Sequence, residues 1–315
     1  MAVITRAGGT ADYSSQGTSK WTPELWSPTL VRKSYAATCA ADISTLAYEG
    51  EISRVGDRVI IRKIPTLSPA SYEINGTISY VQPEVANTAL EISKAKIIAL
   101  QLDDIDAKQM DYAWIDVMTD AAAKEMAEQK DTDFFADIPA EISGDNQGSG
   151  AGVISGSFDL GSTGGGYVQI DENNALDFVL RMNCVLDEQN VNRDGRWVVL
   201  PPWFIRYLKL TDLKAANVTG DNTSPLRNGK VGMIDGLTVY MSNLLDTEND
   251  GGATVYQVIA GHPDGVAFAA NFTNVKVVDL TTTVGRGLQI VETYGYKVIE
   301  PKFLALGRVV APTST

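Results

Sequence analysis

TALEISKAKIIALQL (residues 88–102), running directly into DDIDAKQMDYAWIDVMTDAAAKEMAEQKD (103–131), is the stretch on which the fold turns. Its first part is dense in large aliphatic residues and reads as a strand. The second part changes period. Met110, Trp114, Val117, Met118 and Ala121 recur at helical spacing and give one apolar stripe. Asp103, Asp104 and Asp106 stand ahead of that stripe, where a helix macrodipole favours negative charge. A helix is expected from about Ala107 to Asp131, roughly 37 Å long at about 1.5 Å per residue, with the role of a spine.

Toward the N-terminus, GDRVIIRKI (56–64) is a second β-branched run. A polar, Pro-containing stretch separates it from 88–102, so the two runs predict an extended hairpin. Arg58, Ile60, Arg62 and Ile64 would share one face and Val59, Ile61 and Lys63 the other, leaving neither face cleanly apolar. Such a hairpin is marginal alone and is expected to pack on another subunit. Residues 1–50 begin polar and Gly/Ser-rich and then carry Trp21, Leu25, Trp26 and Leu30, interrupted by Pro23 and Pro28. They predict an arm whose tryptophans need a surface elsewhere, on the same chain or on a neighbour. Short helical pieces are expected between Leu30 and Tyr48.

Toward the C-terminus, DFFADI (133–138) is followed by Gly144 to Gly166, whose DNQGSGAG and GSTGGG read as a flexible loop. ALDFVLRMNCVLDEQ (175–189) has helical periodicity, NVNRDG (190–195) is a turn, and RWVVL (196–200) is a short apolar strand. A helix is expected from about Pro202. Strands are predicted within 230–243, 254–261, 265–271, 273–280, 287–301 and 303–309. This order is α+β, without the regular β-α-β alternation of a doubly wound sheet.

Composition excludes several classes. Of the 315 residues, 44% are hydrophobic and 21% charged, enough apolar material for one or two sizeable cores and unlike a disordered chain. The formal charge of −13 argues against a protein that grips nucleic acid through Lys/Arg. An acidic wall can still face DNA without sticking to it, and solubility alone explains the excess equally well. Cys39 and Cys184 have no metal-type spacing and are expected to be free thiols in a reducing compartment. The opening MAVITRAGGTADYSS has no signal-peptide pattern and no run approaches the ~20 apolar residues of a membrane span, so a soluble, cytosolic product is expected.

No catalytic constellation emerges. His262, the sole histidine, lies in a turn-like AGHPDG (260–265) with no nucleophile elbow near any serine. Neither GSGAG (148–152) nor GSTGGG (161–166) matches a phosphate loop. DTENDG (246–251) places Asp246, Glu248, Asp250 and Gly251 like positions 1, 3, 5 and 6 of a calcium loop, but Gln257 stands where the bidentate carboxylate belongs. It reads better as an exposed hairpin tip. Neither enzyme activity, cofactor nor metal is expected.

Taken in order, these parts resemble the major capsid proteins of tailed bacteriophages with the Hong Kong 97-type fold. GDRVIIRKI followed by LEISKAKIIALQLDDIDAKQMD resembles that family's extended loop and its run into the spine helix. NRDGRWVVLPPWFIRYL (192–208) resembles the strand-to-helix entry of the axial domain, VGMIDGLTVYMSN its paired strands, and VETYGYKVIEPKFLALGRVVA the last strands returning to the peripheral domain. The resemblance covers about residues 40–311. It implies an arm (1–50), an extended loop (51–102), a peripheral domain with spine helix and flexible loop (103–166), an axial domain (167–290) and return strands with a tail (291–315). It also implies hexamers and pentamers of an icosahedral shell around double-stranded DNA in the virion, assembled in the host cytoplasm as a procapsid. Scaffolding protein and a portal are the implied partners, and the need for a cement protein stays open.

Arg58, Arg62, Lys63, Trp21 and Trp26 are the candidate inter-subunit contacts. Some family members cross-link subunits through Lys and Asn; Lys63, Lys94 and Lys96 lie in the hairpin, but no reactive pair is singled out. An encapsulin-type nanocompartment shell keeps the fold and changes the cargo, and a soluble α+β hydrolase is a more distant alternative.

Overall fold

The computed structural model describes residues 38–48, 58–65, 71–78, 87–104, 114–219, 232–280 and 284–312, with Ala36, Leu67, Pro69, Tyr80 and Gln82 besides. Helices are α1 (Ala40–Ile43), α2 (Trp114–Asp137), α3 (Ala175–Glu188) and α4 (Pro202–Thr219). Strands are β1 (Arg58–Arg62), β2 (Asn87–Glu91), β3 (Lys94–Asp103), β4 (Val168–Gln169), β5 (Trp197–Leu200), β6 (Met233–Ile234), β7 (Leu237–Met241), β8 (Thr247–Asp250), β9 (Ala253–Gly261), β10 (Val266–Asp279), β11 (Gly285–Val298) and β12 (Leu304–Val310).

β5 is apolar at every position because its sheet is covered on both faces. Val198 and Leu200 enter one core while Trp197 and Val199 enter the other. The same alternation divides Val258 and Ala260 from Ile259 in β9, and Ala305 and Val309 from Leu304 and Leu306 in β12. The seven-stranded sheet has the order β4-β12-β9-β5-β7-β6, with β8 paired to β9. β5 runs parallel to β7 and antiparallel to β9, which makes the sheet mixed. One face is covered by α3 and α4 through Phe178, Val179, Met182, Phe204 and Leu208. The other receives Cys39 and Ile43 and the end of the spine helix, Phe134 and Phe135.

The 88–102 run is two strands rather than one. β2 pairs antiparallel with β1, whereas β3 leaves that ribbon and pairs with β11 in a second, three-stranded sheet of order β10-β11-β3. At the step between them the chain presses on Gly295, where a Cβ would stand 2.9 Å from both the Glu91 carbonyl carbon and the Ile92 Cα. A glycine is therefore needed where the ribbon crosses β11. β10 also corrects the expectation of two strands at 265–271 and 273–280. It is continuous, with a register shift between Ala270 and Phe272 that absorbs Asn271 as a bulge. The closing segment divides: residues 291–298 stay with β3 in the three-stranded sheet, and β12 enters the seven-stranded one.

The spine helix ends at Asp137, beyond the expected Asp131, because Phe134 and Phe135 are fully buried and belong to its last turns. Its expected start, with Asp106, Ala107 and Met110, lies outside the described residues; Asp103 is the last residue of a strand, and Asp104, next to it, is already helical. Met118, Ala122 and Met126, at i, i+4 and i+8, lie on Ile98, Leu100, Leu288 and Ile290 of the three-stranded sheet. The 144–166 segment is not a flexible loop. Ala151 and Leu160 are wholly buried in the core beside α3. Buried Asn146 donates to the carbonyls of Lys302 (2.9 Å) and Leu304 (2.7 Å), and Glu188 accepts from the amides of Ile154 and Ser155. The glycines serve tight packing there: Gly161 has φ +86° and touches the Arg308 backbone.

A polar clamp continues the docking of α2. Lys130, Asp133 and Asp137 share one helix face. Asp133 accepts from Tyr294 (2.6 Å) and pairs with Lys96 (2.9 Å), Asp137 accepts from Tyr296 (2.6 Å) and pairs with Lys94 (2.6 Å), and Lys130 pairs with Glu292 (2.8 Å). Burial opposes ionisation of Asp133 and Asp137, but hydrogen bonds from Tyr294 and Lys96, and from Lys94 and Tyr296, outweigh it and hold both carboxyls below the usual range. Burial, reinforced by the same carboxylates, pushes the hydroxyls of Tyr294 and Tyr296 up. Asp131 is different: burial raises its carboxyl despite the amides of Cys39 and Ala40 that it accepts.

Two outcomes are expected. Tyr294→Phe, at a fully buried side chain, should cost about 1–3 kcal/mol by stripping a hydrogen bond from a carboxylate, measured by denaturant unfolding. The lowered carboxyls of Asp133 and Asp137 supply stability that is present above the ordinary carboxylate range and lost as pH falls through their folded values. Unfolding temperature should therefore drop on acidification below about pH 4, and Asp133→Asn should flatten that drop; Asp131, raised, contributes with the opposite sign.

Candidate assembly surface

The β1–β2 ribbon sits on the body through one face. Ile61 and Leu90 are buried against Ala267 and Ala269 of β10, with Val59, Ile92 and Tyr48 around them. The face carrying Arg58, Ile60, Arg62 and Ile64 is exposed. The ribbon's base is thus anchored to its own chain while its outer side is not covered by any described residue.

Arg58 stands opposite Glu91 in the register and pairs with it at 3.2 Å, both ends more than half exposed. In that setting the pair is worth about 0–1 kcal/mol. Lys63 reaches Glu300 at 3.5 Å. Arg62, opposite Asn87, is exposed and makes no ion pair with a described residue. The structure therefore brings Arg58, Arg62 and Lys63 together on one ribbon and gives two of them carboxylates of their own chain. Trp21 and Trp26 lie outside the described residues. Lys94 and Lys96 are engaged in the clamp with α2.

Beyond the ribbon the chain carries large apolar side chains into solvent: Ile64 is 93% exposed, Leu67 76%, Tyr72 69%, Ile74 89%, Ile78 59% and Tyr80 92%, with Ile60 at 58%. The reading of this stretch as a polar connection missed them. The available signal was the alternation of Tyr72, Ile74, Ile78 and Tyr80 around Asn75-Gly76. Ile97 of β3 and Val275, Val277 and Val278 of β10 add exposed apolar surface on the three-stranded sheet. So many exposed large apolar side chains are what interaction sites carry.

The remaining motifs take structural places. His262 braces two turns, with Nε2 2.9 Å from the Asp194 carbonyl and Nδ1 accepting from the Asp264 amide at 3.2 Å. DTENDG forms the β8–β9 hairpin, turning at Gly251 and Gly252, both at positive φ, and Asp250 accepts from the Gly165 amide at 2.7 Å. Among the described residues no group of three or more His, Cys, Asp or Glu side chains is placed to hold a metal ion. Cys39 and Cys184 are free thiols. Burial, then Asp131 and Asp42, pushes the Cys39 thiol up to about 12. Among the described residues no helix is long and apolar enough to cross a membrane.

Comparison with known proteins bears on the same regions. A family model described as phage capsid protein matches residues 87–306. No curated protein matches the chain. A solved structure from Mycobacterium phage Che8 is similar over 92% of this chain and 97% of its own, at 24% identity and a TM-score of 0.73. The capsid of cyanophage P-SCSP1u is similar over 99% and 100%, at 14% identity and a TM-score of 0.69. The capsid asymmetric unit of cyanophage Pam1 covers 97% and 100%, at 14% identity and a TM-score of 0.70. This mixed α+β architecture matches those phage capsid structures and is of the Hong Kong 97 type. With a family model spanning most of its length and a protruding apolar loop on that fold, the chain belongs to the phage capsid protein family, as a phage major capsid protein.

Proposed function

We propose that this capsid protein completes its burial only in a lattice of its own copies, as hexamers and pentamers of an icosahedral shell that encloses double-stranded DNA. The observation that carries the reading is the set of apolar side chains Ile60, Ile64, Leu67, Tyr72, Ile74, Ile78 and Tyr80, each more than half exposed. Covering them would release on the order of 10–20 kcal/mol per subunit at about 1.5–3 kcal/mol per side chain, before the costs of association. A subunit with that surface uncovered is soluble but incomplete.

The loop within 51–102 reaches onto an adjacent subunit, held at its base by Ile61 and Leu90. Arg62 meets a carboxylate there, joined by Arg58 where it exchanges Glu91 for a neighbour's acid; Lys63 steadies the base through Glu300. Trp21 and Trp26 of the arm (1–50) find their surface on the same lattice. The peripheral domain (103–166), the axial domain (167–290) and the closing strands (291–315) make the wedge that repeats around each capsomer. The role is structural and not catalytic, and needs no cofactor. The net charge of −13 suits a wall that faces DNA without binding it. Assembly takes place in the host cytoplasm with a scaffolding protein and a portal.

The double variant Ile64→Asp/Ile74→Asp should leave stability within about 0.5 kcal/mol, because both side chains are in solvent, yet give capsomers or monomers instead of shells by size exclusion and electron microscopy. Normal shells from it would refute the reading. Reversing both charges, Arg58→Glu/Arg62→Glu, should likewise block assembly of a folded subunit; unimpaired shells would remove these two residues from the contact.

A further inference from the structure

We propose that Asn75, at the tip of the apolar loop, is a site of spontaneous deamidation that limits how long a free subunit stays competent to assemble. The limit on assembly rests on the loop's burial against a neighbour; the chemistry at Asn75 does not.

In SYEINGTISY (71–80) the asparagine is followed by glycine. The backbone nitrogen of Gly76 attacks Cγ of Asn75, a C–N bond forms, the bond from Cγ to the amide nitrogen breaks, and ammonia leaves with the Gly76 proton. Water then opens the cyclic imide to aspartate or isoaspartate. Water is the sole co-reactant, and no electron transfer is involved. The step needs a following residue without Cβ, a carboxamide free to turn, and access to water.

All three are present. Asn75 and Gly76 are exposed, no strand or helix is formed at 71–78, and the Asn75 carboxamide has no partner among the described residues. Asn75 holds φ +64°, a conformation that its short polar side chain tolerates. One hydrogen bond restrains the attacking nitrogen, from the Gly76 amide to the Glu73 carbonyl at 2.9 Å. A lone exposed turn bond opens with little free energy. Among the described residues, other asparagines are held back from the same chemistry. Asn146 and Asn183 are buried and hydrogen-bonded, and Asn249 accepts from Gly252 inside a tight hairpin.

Conversion would plant a carboxylate beside Glu73 and between Tyr72, Ile74 and Ile78, on surface that assembly must dehydrate. Burying an unpaired carboxylate is strongly unfavourable. The isoaspartate product also adds a backbone methylene and breaks the alternation of the apolar side chains. In a shell, the held loop and the excluded water slow the step.

The test keeps purified unassembled protein and assembled shells in parallel at mildly alkaline pH and maps peptides by mass spectrometry. Amide-to-acid conversion at Asn75 should accumulate several-fold faster in free subunits than in shells, and assembly yield should fall with the converted fraction. Asn75→Gln should neither convert nor lose competence, and Asn75→Asp should be folded but assemble poorly from the start. Asn75 remaining an amide while the chain's other Asn-Gly pair, Asn228-Gly229, converts would overturn the site and leave the loop's burial untouched. Equal conversion in both forms, or normal assembly of Asn75→Asp, would overturn the limit on assembly.

Discussion

The docking of one long helix on a three-stranded antiparallel sheet is the constraint from which the other parts take their positions. Met118, Ala122 and Met126 supply the apolar contact and the Asp133, Asp137 and Lys130 pairs supply the register along it. Apolar burial is non-directional. A helix lying on valines and leucines alone could slide, whereas Tyr294 and Tyr296 aim at particular carboxylates and allow one seating. The same helix then inserts Phe134 and Phe135 under the seven-stranded sheet and accepts the amides of Cys39 and Ala40 through Asp131. It thus ties together both sheets and the segment entering from the N-terminal side.

Against that well-satisfied body, the loop rising from β1 and β2 is unfinished. Its base is buried and its ribbon paired, but the described large apolar side chains beyond the ribbon are more than half exposed. A protein that functions as a monomer would seldom keep such a surface, because it invites aggregation. In a capsid protein the same surface is held back for copies of the chain. Stability is then shared between fold and lattice, and a chemical change at the loop tip that barely affects the subunit can decide whether the lattice forms.

Most elements were legible from residue pattern: the spine helix, the α3 helix, the apolar β5, the β8–β9 hairpin and the shared face of Arg58, Ile60, Arg62 and Ile64. The errors share a cause. At 88–102 no residue in the strand itself marks the break, since what separates β2 from β3 is the approach of Gly295, about two hundred residues away. At 144–166 glycines suggested softness, yet positive φ at Gly148, Gly152 and Gly161 lets that segment pack tightly. At the loop, four alternating apolar residues were outweighed by the polar residues and prolines around them.

What the sequence by itself determined is the kind and order of elements and which residues share a face of each, because hydrophobic periods of 2 and 3.6 are local properties of the chain. It also determined, through the ordered set of phrases, the family to which the chain was compared. Only the tertiary structure decided which strands share a sheet, that Arg58 and Lys63 find acids on their own chain, and that Ile64, Leu67, Tyr72, Ile74, Ile78 and Tyr80 are left more than half exposed. Pairing and exposure depend on residues far apart in sequence, and no local pattern carries that information.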